Sequence, residues 1–190
     1  MSALFIRPVK LVTEKEIIEG CLRQKRECQQ ELFRRYAGKM LTVCMRYARH
    51  QMEAEDVVQD AFIKVFDHLN QFQNKGSFEG WIRRIVVNTA LKTFDRKSFT
   101  HEQYGLDVRE DYSAAEPSVY AQLSEEELLG LIAQLPDGYR IVFNLYAIEG
   151  YSHAEVAEML GVQESTSRSQ LVKARKMLQA MVMDLQKVAV

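Results

Sequence analysis

Residues that break helices are scarce in this sequence. Only 9 of its 190 residues are glycine and 3 are proline, which argues against a turn-rich, strand-built fold and for an all-α one. Long apolar runs are missing too. No stretch reaches the roughly 18 uninterrupted apolar residues of a membrane span. The opening Met-Ser-Ala-Leu-Phe-Ile-Arg-Pro has too short an apolar run for a secretory signal. Neither membrane insertion nor secretion is expected. Cysteine is limited to Cys21, Cys28 and Cys44. An odd count without a Cys-x-x-Cys pair argues against a disulfide framework or a zinc knuckle and for reduced thiols on helix faces. His50, His68, His101 and His153 fall into no His-x-x-x-His or Glu-x-x-His spacing, so neither a metal site nor a cofactor is expected.

Net charge is also nearly absent, formally −1, but the charges are segregated. From Trp81 to Lys97 the basic residues Arg83, Arg84, Lys92, Arg96 and Lys97 face a single acid, Asp95. From His101 to Glu127 eight acids face Arg109 alone. From Ser165 to Lys176 there are four basic residues and no acid. Two basic elements flanking an acidic middle point to polyanionic partners more directly than the overall charge does. The stretch from about Ser98 to Ser118 loses apolar periodicity and contains Gly105, Pro117 and several Ser and Asp. It is expected to be a flexible, acidic linker between two small helical domains. The organisation predicted is an extension over 1–12, a first domain over 13–97, a linker over 98–120 and a second domain over 121–190.

Helix starts are marked by three capping boxes: Thr13 with Glu16, Ser124 with Glu127, and Ser152 with Glu155. In each, a hydroxyl and a carboxylate satisfy free amides of the first turn. Apolar stripes at helical spacing follow: Ile17, Ile18, Cys21 and Leu22, then Leu32, Phe33, Tyr36, Met40, Leu41 and Cys44. Two further stripes are Val57, Val58, Ala61, Phe62, Val65 and Phe66, and Trp81, Ile82, Ile85, Val86 and Ala90. These predict a bundle of about four helices. Beyond the linker, helices are predicted from Leu128 to Leu135, stopped by Pro136, then over Tyr139 to Ile148, Ser152 to Leu160 and Ser165 to about Leu185.

The last two of these fit a helix-turn-helix. Val156, Ala157 and Leu160 face inward, Ala157 is small enough for a close crossing, and Gly161 can take the left-handed turn. The following helix buries Leu171, Ala174 and Leu178 and presents Thr166, Arg168, Ser169, Gln170, Lys173 and Lys176. Small polar residues let the helix N-terminus approach a phosphate, Arg and Gln suit base edges, and Lys neutralises backbone. A basic face alone would be an ordinary solvated surface; the cap, small residue, glycine turn and polar-then-basic order together favour DNA.

Two faces in the first domain stand out. Trp81, Arg84, Asn88 and Lys92 share one side of a helix, with Phe72, Phe78 and Lys75 close in sequence. Ring, cation and amide together suit single-stranded nucleic acid with flipped bases; the alternative is that Phe78 and Trp81 are core and the cations are solvated. On the preceding helix, Asp56, Gln59, Asp60 and Lys64 line a polar face that can dock on a basic partner helix. The alternatives there are a solvated face, or Mg²⁺ ligation by Asp56 and Asp60, for which no second acidic motif or phosphate-binding glycine loop is present.

Together, Glu53-Ala-Glu-Asp-Val-Val-Gln-Asp-Ala-Phe-Ile-Lys-Val-Phe, Gly76-Ser-Phe-Glu-Gly-Trp-Ile-Arg-Arg-Ile-Val-Val-Asn-Thr-Ala-Leu and the helix-turn-helix resemble bacterial sigma factors of the extracytoplasmic-function type. The likeness runs from about Thr13 to Leu185, with a flavour of Bacteroidetes-type members. It implies a cytoplasmic, non-enzymatic factor that binds RNA polymerase core and directs promoter-specific initiation. Asp56, Gln59, Asp60 and Lys64 would stand on the region that docks on the β′ clamp coiled coil. Asn70 to Lys97 would open and capture the −10 element, with 70–77 as a base-capturing loop and Lys75, Phe78, Trp81, Arg84, Asn88 and Lys92 near the melted strand. The second domain would read the −35 element with Thr166, Arg168, Ser169, Gln170, Lys173 and Lys176 and meet the β flap. The linker would thread the RNA-exit path, and an anti-sigma factor is a further expected partner. Ser165-Thr-Ser-Arg-Ser-Gln departs from the family's frequent Gly-Thr-Val-Lys-Ser-Arg, with Gln170 in place of Arg. The runner-up is a stand-alone helix-turn-helix regulator.

Overall fold

The computed structural model describes the backbone of residues 13–98 and 124–188. The extension over 1–12 and nearly all of the expected linker lie outside these residues. The described residues form eight α-helices and no strand: α1 (Glu14–Leu22), α2 (Arg26–Met45), α3 (Gln51–His68), α4 (Phe78–Ser98), α5 (Glu125–Ala133), α6 (Asp137–Phe143), α7 (His153–Leu160) and α8 (Glu164–Val188). A 3₁₀ turn, Leu69–Gln71, follows α3, and a π-helical turn, Asn144–Ile148, extends α6. The helix expected over Tyr139 to Ile148 is therefore an α-helix that widens in its second half. Such widening is local and leaves no signature in apolar spacing.

All three capping boxes form, at Thr13, Ser124 and Ser152. Gly161 ends α7 in the left-handed region, with φ 65°, where a side chain would crowd the following carbonyl. In the first domain α2, α3 and α4 pack on one another and α1 packs on α2. Gly20 permits that last approach: a Cβ there would stand 2.1 Å from the Cys28 sulfur. The core is built from the expected stripes, with Leu32, Met40, Cys44, Ala61, Val65, Ile82, Val86 and Ala90 all fully buried. Leu22 and Phe33, expected in those stripes, are instead 49% and 41% exposed. Both sit at the edge of their stripe, and Phe33 lies edge-on to Phe62 with ring centres 4.8 Å apart. The cysteines are free thiols; burial pushes Cys44 up to about 12 and, with neighbouring Cys28 adding to it, Cys21 up to about 11.

In the second domain α8 is the spine on which α5, α6 and α7 pack. Leu131, Ile132, Leu135, Ala174, Leu178 and Val182 form one apolar cluster. A second cluster is not confined to one domain. It runs from the first-domain core into Ile141, Val142, Leu145, Val156, Leu160 and Leu171. α7 lies against α4, so the two domains share a continuous interior.

Candidate nucleic-acid interface

The site on α4 begins with its cap. Ser77 Oγ accepts from the Gly80 amide at 3.1 Å, and the Ser77 carbonyl accepts from the Trp81 amide at 3.1 Å. This fixes the entry of α4 and brings three rings together. Phe78 and Trp81 stack with centres 5.7 Å apart and planes at 14°, and Phe72 tilts against both at 5.0 and 5.6 Å. Tyr36 meets the far side of Phe78 edge-on. Phe78 is only 2% exposed. Expected near the melted strand, it is placed by the structure beneath Trp81, where it can orient that ring but cannot reach a base. Trp81 is half-buried, and Arg84, Asn88 and Lys92 follow it along the helix, all exposed. Lys75 is exposed in the loop over 72–77, where Asn74 and Gly76 both have positive φ, at 56° and 99°. The result is a pinned ring beside a line of cation, amide and cation.

On α3 the four expected residues divide. Asp56, Gln59 and Asp60 are exposed. Lys64 points elsewhere: its ammonium donates to Thr89 Oγ1 on α4 at 3.1 Å, and that hydroxyl donates to the Ile85 carbonyl at 2.8 Å. Lys64 thus fastens α3 to α4. Sequence reasoning missed two neighbours of the acids, Met52 and Ile63, which are 76% and 60% exposed. Positions 52, 56, 59, 60 and 63 share one side of α3. Their signal was the break in the rule that large apolar side chains fall on the buried stripe. Among the described residues no group of three or more His, Cys, Asp or Glu could hold a metal ion, so Asp56 and Asp60 have no third carboxylate, histidine or cysteine gathered with them.

In the helix-turn-helix, Val156, Ala157, Leu160, Leu171, Ala174 and Leu178 are buried as expected. Of the six outward candidates, Arg168 and Ser169 are exposed, and Thr166, Gln170, Lys173 and Lys176 are half-buried. Arg168 pairs with Glu164 one turn earlier. Ser169 Oγ donates to the Thr166 carbonyl at 3.0 Å. Gln170 is drawn inward, with a buried Oε1 that accepts from no protein donor. A chain of contacts that sequence reasoning missed holds the recognition helix. His153 Nδ1 lies 2.9 Å from Oγ of the fully buried Ser167. The His153 ring stacks on Tyr146 at 4.2 Å, and the Arg175 guanidinium sits over that tyrosine, 5.9 Å from its centre. Desolvation, helped by Arg168, holds the His153 pKa below its ordinary value.

Both helical parts of the chain have counterparts among known proteins. Residues 32–100 match the model of sigma-70 region 2, and residues 125–178 match that of sigma-70 region 4. The chain is 33% identical over 155 residues to the ECF RNA polymerase sigma factor SigE of Mycolicibacterium smegmatis, covering 78% of this chain and 59% of that protein. It is 26% identical over 177 residues to the RNA polymerase sigma-H factor of Pseudomonas aeruginosa, covering 86% and 90%. It is also 26% identical over 185 residues to the ECF RNA polymerase sigma-E factor of Escherichia coli K12, covering 92% and 96%. Among solved structures, the sigma factor RpoE in complex with the anti-sigma factor NepR from Bartonella quintana shares the fold, with a TM-score of 0.50 at 18% identity over 81% of this chain and 96% of that one.

Proposed function

The chain belongs to the extracytoplasmic-function sigma factor family, and from that premise we propose a division of labour among its faces. It binds RNA polymerase core and promoter DNA and directs initiation, and RNA synthesis belongs to the polymerase. Asp56, Gln59 and Asp60, flanked by exposed Met52 and Ile63, are the face of α3 that docks on the β′ clamp coiled coil. Acids steer the encounter, and apolar side chains supply buried area. Trp81, Arg84, Asn88 and Lys92, with Lys75 of the preceding loop, take the melted −10 strand. Flipped bases gain stacking and hydrogen bonds there, which offsets an unstacking cost of a few kcal/mol. Thr166, Arg168, Ser169, Lys173 and Lys176 meet the −35 duplex, while the inward-drawn Gln170 does not reach it, and the second domain also meets the β flap. Two weak contacts held on one polymerase act as a single strong one. The work is cytoplasmic, where the polymerase is, and an anti-sigma factor is a further partner. A Bacteroidetes-type membership is the narrower part of this proposal.

The observation that carries this reading is the α4 surface itself. A half-buried tryptophan is locked by a stacked Phe78 and a tilted Phe72 and followed by Arg84, Asn88 and Lys92 on the same side. The test is run-off transcription with purified core polymerase on a library of promoter fragments. Discrete transcripts that depend on the added chain are expected. Shifted fragments with no polymerase dependence would instead identify a stand-alone regulator.

A further inference from the structure

The recognition helix α8 is held from behind by two kinds of contact. Leu171, Ala174 and Leu178 are buried. Apolar packing is non-directional, so it fixes the depth of a helix better than its tilt or rotation. Direction comes from polar contacts. Ser167 is fully buried in the first turn of α8, where water cannot serve its hydroxyl. His153, the first residue of α7, does so: its Nδ1 lies 2.9 Å from Ser167 Oγ. Desolvation and then Arg168 favour the neutral ring, whose Nδ1 can accept from that hydroxyl.

A second hold passes through the same ring. His153 stacks on Tyr146 with centres 4.2 Å apart and planes at 21°, and the Arg175 guanidinium sits 5.9 Å from the centre of the tyrosine ring. Tyr146 lies in the middle of the π-helical turn Asn144–Ile148, a kind of widening that is rare and recurs at functional sites. Arg175 is the basic residue of the 165–176 run that the −35 reading leaves unassigned. Hydrogen bond, ring stack and cation form one strut, which runs from α8 to α7, on to the turn after α6, and back to α8.

The strut grips α8 at positions 167 and 175. At roughly 1.5 Å of rise per residue the two grips stand about 12 Å apart along the axis. Arg168, Ser169 and Lys173 lie between them. A surface that reads a target must be held to within about 0.5 Å by side chains whose own positions are locked. Ser167 is too buried to touch DNA itself, so whatever it contributes to reading passes through the placement of α8. With that grip lost, the helix can pivot about the other.

We propose that His153 is a positioning residue for promoter recognition: through the Ser167 hydroxyl it sets how α8 is aimed, and so how sharply Arg168 and Ser169 distinguish a −35 sequence from other duplex. It is the directional half of a two-point support whose other half is Tyr146 with Arg175. The aiming role rests on the −35 reading of α8 given above; the support itself does not.

The test uses the full chain, alone and bound to core polymerase. Two duplexes are compared, one carrying the −35 sequence of a promoter found by run-off transcription and one with that element scrambled. In His153→Ala and in Ser167→Ala the holoenzyme's preference for the first duplex is expected to fall at least about fivefold, roughly the worth of one good base contact. The double variant should lose no more than either single one, because both remove the same bond. His153→Asn, whose amide stands near the place of Nδ1, should restore the preference, and affinity for core should not change. Ser167→Ala removes only a hydroxyl and serves if His153→Ala unfolds, as judged by circular dichroism. An unchanged preference in folded variants overturns the proposal, as does an equal loss on both duplexes or a failure of His153→Asn to restore it. Hydrogen exchange in the free chain reads the support without DNA. Amides over 168–172 should exchange faster in the alanine variants and at the native rate in His153→Asn; unchanged exchange overturns the support. A native holoenzyme that initiates but ignores the −35 sequence overturns the −35 reading, and the aiming role with it, while the exchange result still decides the support.

Discussion

At the scale of single residues, position relative to a ring or a charge decides the role. Trp81 and Asn88 lie on the exposed side of α4, whereas Phe78 is beneath it. Trp81→Ala is expected to weaken capture of single-stranded −10 DNA by the holoenzyme roughly 5- to 150-fold, matching about 1–3 kcal/mol of base stacking. Duplex binding should change far less, as followed by permanganate footprinting beside mobility shift; equal losses in both would exclude the single-strand role. His153 gives a prediction with a sign. Its pKa is lowered in the fold, mainly by desolvation and next by Arg168, so the fold favours the neutral ring. As pH falls below the ordinary value of 6.5, the unfolded chain takes up a proton that the folded one resists, and stability drops. This contribution is fully present above that pH and is lost as pH descends toward the folded value. Denaturant midpoints between pH 7.5 and 5 should fall for the native chain and fall less for His153→Gln.

At the scale of elements, α3 and α8 carry predictions of different kinds. Ile63→Asp puts a charge on an exposed position, so the fold should tolerate it, while binding to core polymerase is expected to weaken by at least about 1 kcal/mol if Ile63 packs against the partner. A core titration by fluorescence anisotropy measures it, with unchanged circular dichroism as the control. On α8, Lys173→Ala should weaken −35 binding and reduce the slope of log affinity against log salt by about one if the ammonium meets phosphate. The elements themselves were legible in the sequence because their causes are local. The three capping boxes, the left-handed Gly161 and the buried stripe of Val156, Leu160, Leu171 and Leu178 depend on neighbours within a turn or two. The candidate sites were legible only in part. Lys64 looks like its exposed neighbours Asp56 and Asp60 until α4 brings Thr89 beside it. Gln170 looks outward-facing until the helix-turn-helix closes over it. The widening of α6 after Phe143 leaves apolar spacing intact and was not visible at all.

At the scale of the whole molecule, what the sequence concealed is the joining of the domains. Arg46, Arg83 and Glu149 read singly as solvated charges, because nothing local announces that one carboxylate will lie buried between two guanidiniums from distant helices. The consequence is thermodynamic. Two domains that share an apolar cluster and a buried ion pair stabilise each other, and unfolding one exposes the face of its neighbour. Calorimetry of the native chain is therefore expected to show one transition, with van't Hoff and calorimetric enthalpies in agreement. Glu149→Lys should uncouple the halves and split that transition in two, the lower belonging to whichever domain gains more from the contact. Raising salt should shift the native transition only slightly, because a carboxylate 3% exposed is poorly screened. Two resolved transitions in the native chain would mean that the shared interior contributes too little to couple the domains, and the contact would then be an encounter rather than a closure.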